Sequence, residues 1–275
     1  MEEDNSMQYE KIELISGRSE VTLEYFGIDD RAEPKDAMLV IPGGGYGAVC
    51  SDREGYPIAQ AYMMQEMNAF VLHYSVGSQI EEATDPLYQA SLAMIHIREN
   101  AEKYNINPDR VFCVGFSAGG HLAGSLATLW NRSDIQEKLG ENKGKNRPTG
   151  AVLCYAVTLG CSANGHVGTF KNLLKDRIED NAAVASFSLE KNVGSHTVPA
   201  FIMHTFDDAV VPLDNALELG LAYKRAGIPF EMHIYPHGPH GMALANKVTW
   251  CGNPDYNNAA IARWVADSVQ WMKTL

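Results

Sequence analysis

A serine lies in a glycine-rich turn between an apolar run and a helical pattern. Gly115–Gly120 reads Gly-Phe-Ser-Ala-Gly-Gly, follows the apolar Val111–Val114 and precedes the helical pattern of His121–Trp130. Such a turn strains the serine backbone, and neighbouring glycines remove the Cβ atoms that would clash. The hydroxyl of Ser117 is then presented at a helix N-terminus, where backbone N–H groups favour negative charge. The pattern predicts a nucleophile, although the motif alone leaves an ordinary glycine-rich turn open. A P-loop is excluded because no Gly-Lys-Ser/Thr follows.

A candidate acid and a candidate base for this serine follow two later apolar runs. Asp208 comes after Pro199–Thr205, and His240 comes after Phe230–Tyr235. Serine is a poor nucleophile at neutral pH and needs a base, while an aspartate fixes the tautomer of that base and stabilises its protonated form. The order Ser117, Asp208, His240 is that of the catalytic triad in α/β hydrolases.

Each of the two partners has a neighbour of the same type. Asp207 competes with Asp208, and the spacing favours Asp208; His237 competes with His240, and we expect one of these two histidines to be a structural loop residue. With His204, these side chains would also suit a metal cluster. However, the two imidazoles lie in a Pro/Gly loop rather than at helical spacing, and a metal site leaves the serine unexplained. We therefore predict no metal site.

A second glycine-rich segment offers backbone hydrogen-bond donors. Pro42–Gly47 reads Pro-Gly-Gly-Gly-Tyr-Gly and follows the apolar run Ala37–Ile41. Successive glycines let N–H groups approach a ligand closely, as acyl transfer requires where a tetrahedral oxyanion develops. Ala118, directly after the serine, would add another N–H. The alternatives are a flexible turn and a phosphate-binding loop, but the G-x-G-x-x-G spacing of dinucleotide sites is missing. His121 also follows the serine closely, and we expect it to pack or to form a local hydrogen bond.

Short apolar runs alternate with longer amphipathic segments along the chain. The predicted strands are Tyr9–Ile15, Val21–Phe26, Ala37–Ile41, Ala69–Tyr74, Arg110–Gly115, Gly150–Tyr155, Pro199–Thr205 and Phe230–Tyr235. Near-continuous apolar runs are typical of parallel strands that helices cover on both faces. We predict an α/β fold in one domain (1–275), with N-terminal strands in 1–36 and ligands bound beyond the carboxyl ends of the strands. The segment 156–196 exceeds a simple crossover, and we expect it to form a small excursion near the active-site edge.

The acidic composition bears on partners and location. The formal net charge is −12, from 34 acidic and 22 basic residues. Nucleic acids and anionic membranes favour clustered Lys and Arg, so we expect neither as a partner. Five scattered cysteines form no C-x-x-C pair, and no apolar stretch is typical of a signal peptide or a membrane span. We therefore expect a cytoplasmic protein without a cofactor.

Four segments together resemble the acetyl-xylan-esterase-like branch of the α/β hydrolases, which is related to the hormone-sensitive-lipase-like esterases. They are Pro42–Tyr46, Gly115–His121, Asp208–Pro212 and Gly238–Gly241. The D-x-x-V-P and G-x-H-G patterns of these relatives imply Asp208 as triad acid and His240 as base. The lipase-like relatives carry His-Gly-Gly-Gly at the oxyanion loop, where Pro42 replaces the histidine here. The resemblance then implies Gly44 and Gly45 as donors.

The resemblance also implies a substrate class. Lipase-like relatives carry a helical cap before the core, and too few residues precede the first core strand here. A shallow, open site without a large cap suits short acyl groups, acetate above all, on a sugar, and Tyr46 is the aromatic residue that we expect to contact it. We thus expect a serine esterase that deacetylates a small ester or an acetylated oligosaccharide through an acyl-enzyme. A prolyl-oligopeptidase-type peptidase and a non-catalytic binding protein remain alternatives, and the sequence leaves a homo-oligomer open.

Overall fold

The apolar runs of the sequence form one sheet. The computed structural model describes residues 7–28, 33–160 and 164–275. Within this part of the chain, eight strands form a single sheet. In chain order they are β1 (Met7–Glu13), β2 (Thr22–Ile28), β3 (Lys35–Ile41), β4 (Asn68–His73), β5 (Ile106–Phe116), β6 (Ala151–Cys154), β7 (Ala200–Thr205) and β8 (Phe230–Tyr235).

The strand order is β1-β2-β4-β3-β5-β6-β7-β8. β1 pairs antiparallel with β2, and β2 with β4, whereas the neighbours from β4 through β8 are parallel. The predicted mostly parallel sheet of about eight strands is confirmed. β5 begins at Ile106 rather than at the predicted Arg110, because Ile106 pairs with Lys35 before the register shifts.

Two hydrophobic cores lie on opposite faces of the sheet. Along β3, Leu39 and Ile41 belong to one core, and the intervening Met38 and Val40 belong to the other. All four side chains are fully buried, as expected for a parallel strand with helices on both sides. The edge strand β8 is only partly buried.

The helices divide between the two faces. They are α1 (Ser51–Glu54), α2 (Tyr56–Met63), α3 (Asp85–Glu99), α4 (Ala118–Thr128), α5 (Ser133–Leu139), α6 (Val167–Leu174), α7 (Asn181–Phe187), α8 (Asp214–Ala226) and α9 (Trp264–Met272). α3, α4 and α8 contribute side chains to the first core, and α2 and α9 to the second. This arrangement is the α/β-hydrolase fold. None of the helices in the described ranges has both the length and the apolarity of a membrane span.

The carboxyl ends of the parallel strands are aligned at one edge of the sheet. Ile41 of β3 pairs with Gly115 of β5, and Thr205 of β7 pairs with Tyr235 of β8. The loops that leave these four strands therefore emerge side by side. They carry the glycine loop, the serine, the aspartates and the histidines of the sequence motifs.

The excursion between β6 and β7 contains α6, α7 and short 3₁₀ turns. Residues 161–163 of this segment are not among the described residues. The described part holds only short helices, which fits the expected small excursion rather than a large cap. That the whole chain is one domain stays a prediction.

Candidate active site

Ser117 lies at a sharp turn between β5 and α4. Its backbone has φ 55° and ψ −118°, a left-handed conformation that costs a side-chain-bearing residue about 1–3 kcal/mol. The turn also brings α4 against the loop after β3. A Cβ at Gly119 would lie 2.2 Å from the carbonyl oxygen of Ile41, and one at Gly115 would lie 2.1 Å from that of Gly119. Only glycine fits at these two positions, so the close approach of the backbone at this turn explains why the motif contains glycines.

The structure brings the three candidate triad residues into one hydrogen-bonded chain. His240 Nε2 lies 2.9 Å from Ser117 Oγ, and His240 Nδ1 lies 2.7 Å from Asp208 Oδ2. Because a carboxylate can only accept, Nδ1 carries the proton and donates it to Asp208. Nε2 is then the acceptor for the serine hydroxyl. This is the tautomer that a general base needs.

The carboxylate of Asp208 is fully buried, and every one of its described contacts favours the charged form. Its Oδ1 accepts N–H groups of Val210 and Val211, each at 2.9 Å. Burial alone would raise the pKa of Asp208. The hydrogen bond and charge of His240, together with the two backbone N–H groups, outweigh burial and hold this pKa below its usual value. Asp208 therefore stays ionised beside the imidazole.

The duplicated neighbours lie outside this chain of contacts. The Asp207 carboxylate accepts the Gly238 N–H at 2.8 Å and lies 3.0 Å from Nδ1 of His237. The side chain of His237 is 82% exposed, whereas that of His240 is 15% exposed. The two less favoured residues thus pair with each other at the surface.

The histidines do not converge on a metal site. His204 donates from Nε2 to the Val211 carbonyl at 2.9 Å, and both ring nitrogens of His240 are already engaged by the serine and the aspartate. Within the described ranges, no three His, Cys, Asp or Glu side chains are grouped so that they could hold a metal ion. The alternative of a metal cluster has no support in this geometry.

We expected Tyr46 to contact the sugar, but it does not line the cavity that contains Ser117. Its side chain is buried, and its hydroxyl lies 2.9 Å from Nδ1 of His121. The other nitrogen of His121 donates to the Phe187 carbonyl at 2.8 Å, and burial lowers the pKa of this imidazole to about 4. His121 is therefore a neutral link between the glycine loop and the excursion, rather than a base. Its partners are distant in sequence, although we expected local ones.

The glycine loop leaves two backbone donors free beside the serine. Gly44 has φ 128°, and a Cβ there would lie 2.2 Å from the Ala48 carbonyl oxygen, so that only glycine fits. The N–H groups of Gly44, Gly45 and Ala118 bond no acceptor among the described residues. Gly44 and Gly45 line the same cavity as Ser117. Pro42, which stands where the lipase-like relatives carry a histidine, is held through its carbonyl, which accepts the Tyr74 hydroxyl at 2.7 Å.

The sequence also matches a known protein family. The family described as BD-FAE matches residues 27–222. The chain belongs to this family. The predicted resemblance to acetyl-xylan-esterase-like α/β hydrolases is thereby confirmed.

Named relatives of this BD-FAE chain include a xylanase and an acetylxylan esterase. Endo-1,4-beta-xylanase B of Butyrivibrio fibrisolvens is 37% identical over 79% of this chain and 34% of its own length. The acetylxylan esterase of Xylanibacter ruminicola is 29% identical over 83% of this chain and 45% of its own length. The chain therefore spans less than half the length of these curated relatives.

Solved structures match almost the whole chain. The acetyl ester-xyloside bifunctional hydrolase from Caldicellulosiruptor lactoaceticus is 30% identical, with a TM-score of 0.81 over 98% of this chain and 96% of that chain. A carboxylesterase from Lactobacillus plantarum reaches a TM-score of 0.83 at 22% identity, over 98% and 97% of the two chains. The second likeness shows the fold alone.

The cavity above the serine includes residues that the sequence motifs did not indicate. It measures about 400 Å³, and a larger cavity of about 670 Å³ adjoins it across His240 and Val210. The additional lining side chains are Cys50, Asp52, Arg53, Glu54 and His166. The polar run that follows the glycine loop was a usable signal for Asp52–Glu54. His166 gave none, because it lies in the excursion without a motif around it.

Glu54 is the least exposed charged group of this cavity. Burial raises its pKa, and the Gly43 N–H, the Tyr155 hydroxyl and the charges of His240 and Arg53 oppose that shift. A buried carboxylate with such contacts is a typical feature of a functional site.

Proposed function

We propose that this BD-FAE protein is a serine carboxylic ester hydrolase. The observation that carries the proposal is the chain from Asp208 through His240 to Ser117, with contacts of 2.7 Å and 2.9 Å. A serine in this setting is activated for attack on an acyl carbon. The names of the relatives, an acetylxylan esterase among them, support an ester as the substrate.

The reaction follows from the proton positions. Ser117 Oγ attacks the ester carbonyl while His240 Nε2 takes the hydroxyl proton, and negative charge develops on the carbonyl oxygen. The free N–H groups of Gly44, Gly45 and Ala118 stabilise that oxyanion. When the tetrahedral intermediate collapses, His240 returns the proton to the departing alcohol. Water then attacks the acyl-enzyme, His240 takes its proton, and the acid leaves as Ser117 is protonated again.

For the substrate, we propose an acetyl ester of a carbohydrate. The lining of the cavity of about 400 Å³ includes the polar side chains of Asp52, Arg53 and His166, which can form hydrogen bonds to the hydroxyl groups of such an alcohol. Nδ1 of His166 accepts the Thr169 N–H at 3.2 Å, so its proton lies on Nε2, where it can be donated to a sugar hydroxyl. Burial and the nearby His240 lower the pKa of His166, which keeps the ring neutral.

The test is kcat/KM for acetate, butyrate, hexanoate and octanoate esters of one alcohol, with acetylated xylo-oligosaccharides and peptides in parallel. Each methylene group that a site buries contributes about 0.8 kcal/mol to binding, and a short, open site does not bury the additional methylene groups of a long acyl chain. We expect the highest value for acetate, deacetylation of the oligosaccharides and no cleavage of peptides. A maximum at octanoate would contradict the carbohydrate substrate, and peptide cleavage would favour the peptidase alternative.

Covalent labelling tests the nucleophile itself. An organophosphate should modify Ser117 alone, and Ser117→Ala should abolish both labelling and hydrolysis while the protein stays folded. An adduct on a different serine would contradict the assignment. The cytoplasmic location and the oligomeric state stay predictions.

A further inference from the structure

Glu54 is a buried carboxylate that contacts the glycine loop directly and the loop that carries His240 through Tyr155. It lies at the end of α1 and is 5% exposed. Its Oε2 accepts the N–H of Gly43 at 2.8 Å, and its Oε1 accepts the hydroxyl of Tyr155 at 2.9 Å. Both oxygens are therefore used as acceptors.

The second contact continues into the loop that carries the base. The Tyr155 hydroxyl accepts the N–H of Ala243 at 2.9 Å, and its single proton is therefore directed to Glu54. The Tyr155 ring also contacts the His240 ring, with centroids 5.0 Å apart. Tyr155 has φ 37°, a conformation that persists only where surrounding contacts hold it.

The first contact acts on the loop that carries the oxyanion donors. Both backbone polar groups of Gly43 are hydrogen-bonded, because its carbonyl also accepts the N–H of Cys50 at 3.0 Å. A Cβ at Gly43 would lie 2.7 Å from Glu54 Oε2 and 3.1 Å from Ser117 Cβ, so the loop passes very close to both residues. The orientation of Gly43 sets the direction in which the following N–H of Gly44 points.

We propose that Glu54 is a positioning residue that holds two loops at a fixed separation. One is the glycine loop, which it contacts through Gly43, and the other is the base loop, the loop after β8 that carries His240, which it contacts through Tyr155. The preceding side chain supports the same role, since Arg53 donates to the Gly241 carbonyl in the base loop. Glu54 itself takes part in no step of the proposed reaction. The inference rests on the proposed function, because it assigns Glu54 to the same site.

The consequence is a defect in the rate of the chemical step rather than in substrate binding. A displacement of about 1 Å at an oxyanion donor costs about a hundredfold in rate, because the donors act on charge that exists only in the transition state. Glu54→Ala should lower kcat by about a hundredfold with KM changed less than about threefold. Glu54→Gln should fall between Glu54→Ala and wild type, because its amide oxygen still accepts from Gly43 but its amide nitrogen cannot accept from Tyr155.

Tyr155→Phe tests the other half of the link. It keeps the ring against His240 but removes the acceptor of the Ala243 N–H, and we expect about a tenfold fall in kcat. In the double variant Glu54→Gln/Tyr155→Phe, the losses should not multiply, because both substitutions break one connection. A fully multiplicative double variant would overturn the shared role.

Glu24→Gln is the matched control. Glu24 is also 5% exposed, but it pairs with Lys11 and His73 rather than with the site. We expect wild-type kcat for this variant on p-nitrophenyl acetate, with unfolding in urea measured for every protein. An equal kcat loss in Glu24→Gln would reduce the effect of Glu54 to general destabilisation and overturn the inference.

The outcomes separate this inference from the proposed function. Should Ser117→Ala retain activity, the proposed function fails. If Ser117→Ala is inactive but Glu54→Gln and Tyr155→Phe keep kcat within about twofold of wild type, only the inference on Glu54 fails. If Glu54→Ala does not fold, Glu54→Gln and Tyr155→Phe decide. A change confined to KM would also overturn it.

Discussion

At the scale of single residues, exposure to solvent distinguishes the proposed catalytic member of each duplicated pair. Asp208 is buried and hydrogen-bonded in series with His240, which is much less exposed than His237, whereas Asp207 and His237 pair with each other near solvent. We expect Asp208→Asn to lower kcat by about 10⁴-fold, because the imidazole would lose the partner that fixes its tautomer. Asp207→Asn should leave kcat unchanged. Initial rates on p-nitrophenyl acetate compare the two, and equal losses would contradict the assignment.

The same aspartate makes stability depend on pH. The pKa of Asp208 is lowered in the folded protein by its contacts with His240 and two backbone N–H groups, although burial opposes them. An aspartate in the unfolded chain titrates near a pKa of about 3.9. Its stabilising contribution is therefore complete above that pH and is lost as the pH falls toward the lower folded pKa. The free energy of unfolding of wild type should decrease more steeply below pH ~4 than that of Asp208→Asn. Parallel slopes in urea titrations would contradict this prediction.

At the scale of elements, apolar runs predicted the strands because parallel strands are buried on both faces. The contacts that complete the site could not be predicted in the same way. Glu54 bonds a residue 101 positions away, and His121 bonds one 66 positions away, so no local pattern indicates either contact. Tyr46 is an example of the opposite kind. As an aromatic residue in a glycine loop it was expected to contact a sugar at the surface, yet its side chain is buried.

The excursion contributes His166 to the site, and its substitution tests the proposed sugar contact. His166→Phe removes the Nε2 donor, and the loss of one hydrogen bond of about 1 kcal/mol corresponds to about a fivefold rise in KM for acetylated xylo-oligosaccharides. Hydrolysis of p-nitrophenyl acetate should hardly change, because that substrate has no hydroxyl to contact. His166→Asn is the control for the helix cap, since an asparagine can still accept the Thr169 N–H at the start of α6. An equal loss on both substrates would contradict a role in recognition.

At the scale of the whole molecule, α9 is connected to the loop that carries His240. Trp264 of α9 is fully buried, packs against Phe116 and donates from Nε1 to the Ala243 carbonyl at 2.8 Å. Trp264→Phe should lower the free energy of unfolding by about 2–4 kcal/mol, from lost volume and an unpaired buried carbonyl. Urea unfolding gives this free energy, and Trp250→Phe, which changes a less buried indole, is the control variant. A Trp264 variant as stable as wild type would show that this contact is dispensable.

That connection also determines when the candidate site can first assemble during synthesis of the chain. A growing chain folds from its N-terminus, and the glycine loop and the serine elbow emerge long before α9. The loop that carries His240 has its Ala243 carbonyl unpaired until Trp264 has left the ribosome and docked. We therefore expect nascent chains to lack the proposed hydrolase activity until α9 has been synthesised and Trp264 has docked against the loop that carries His240.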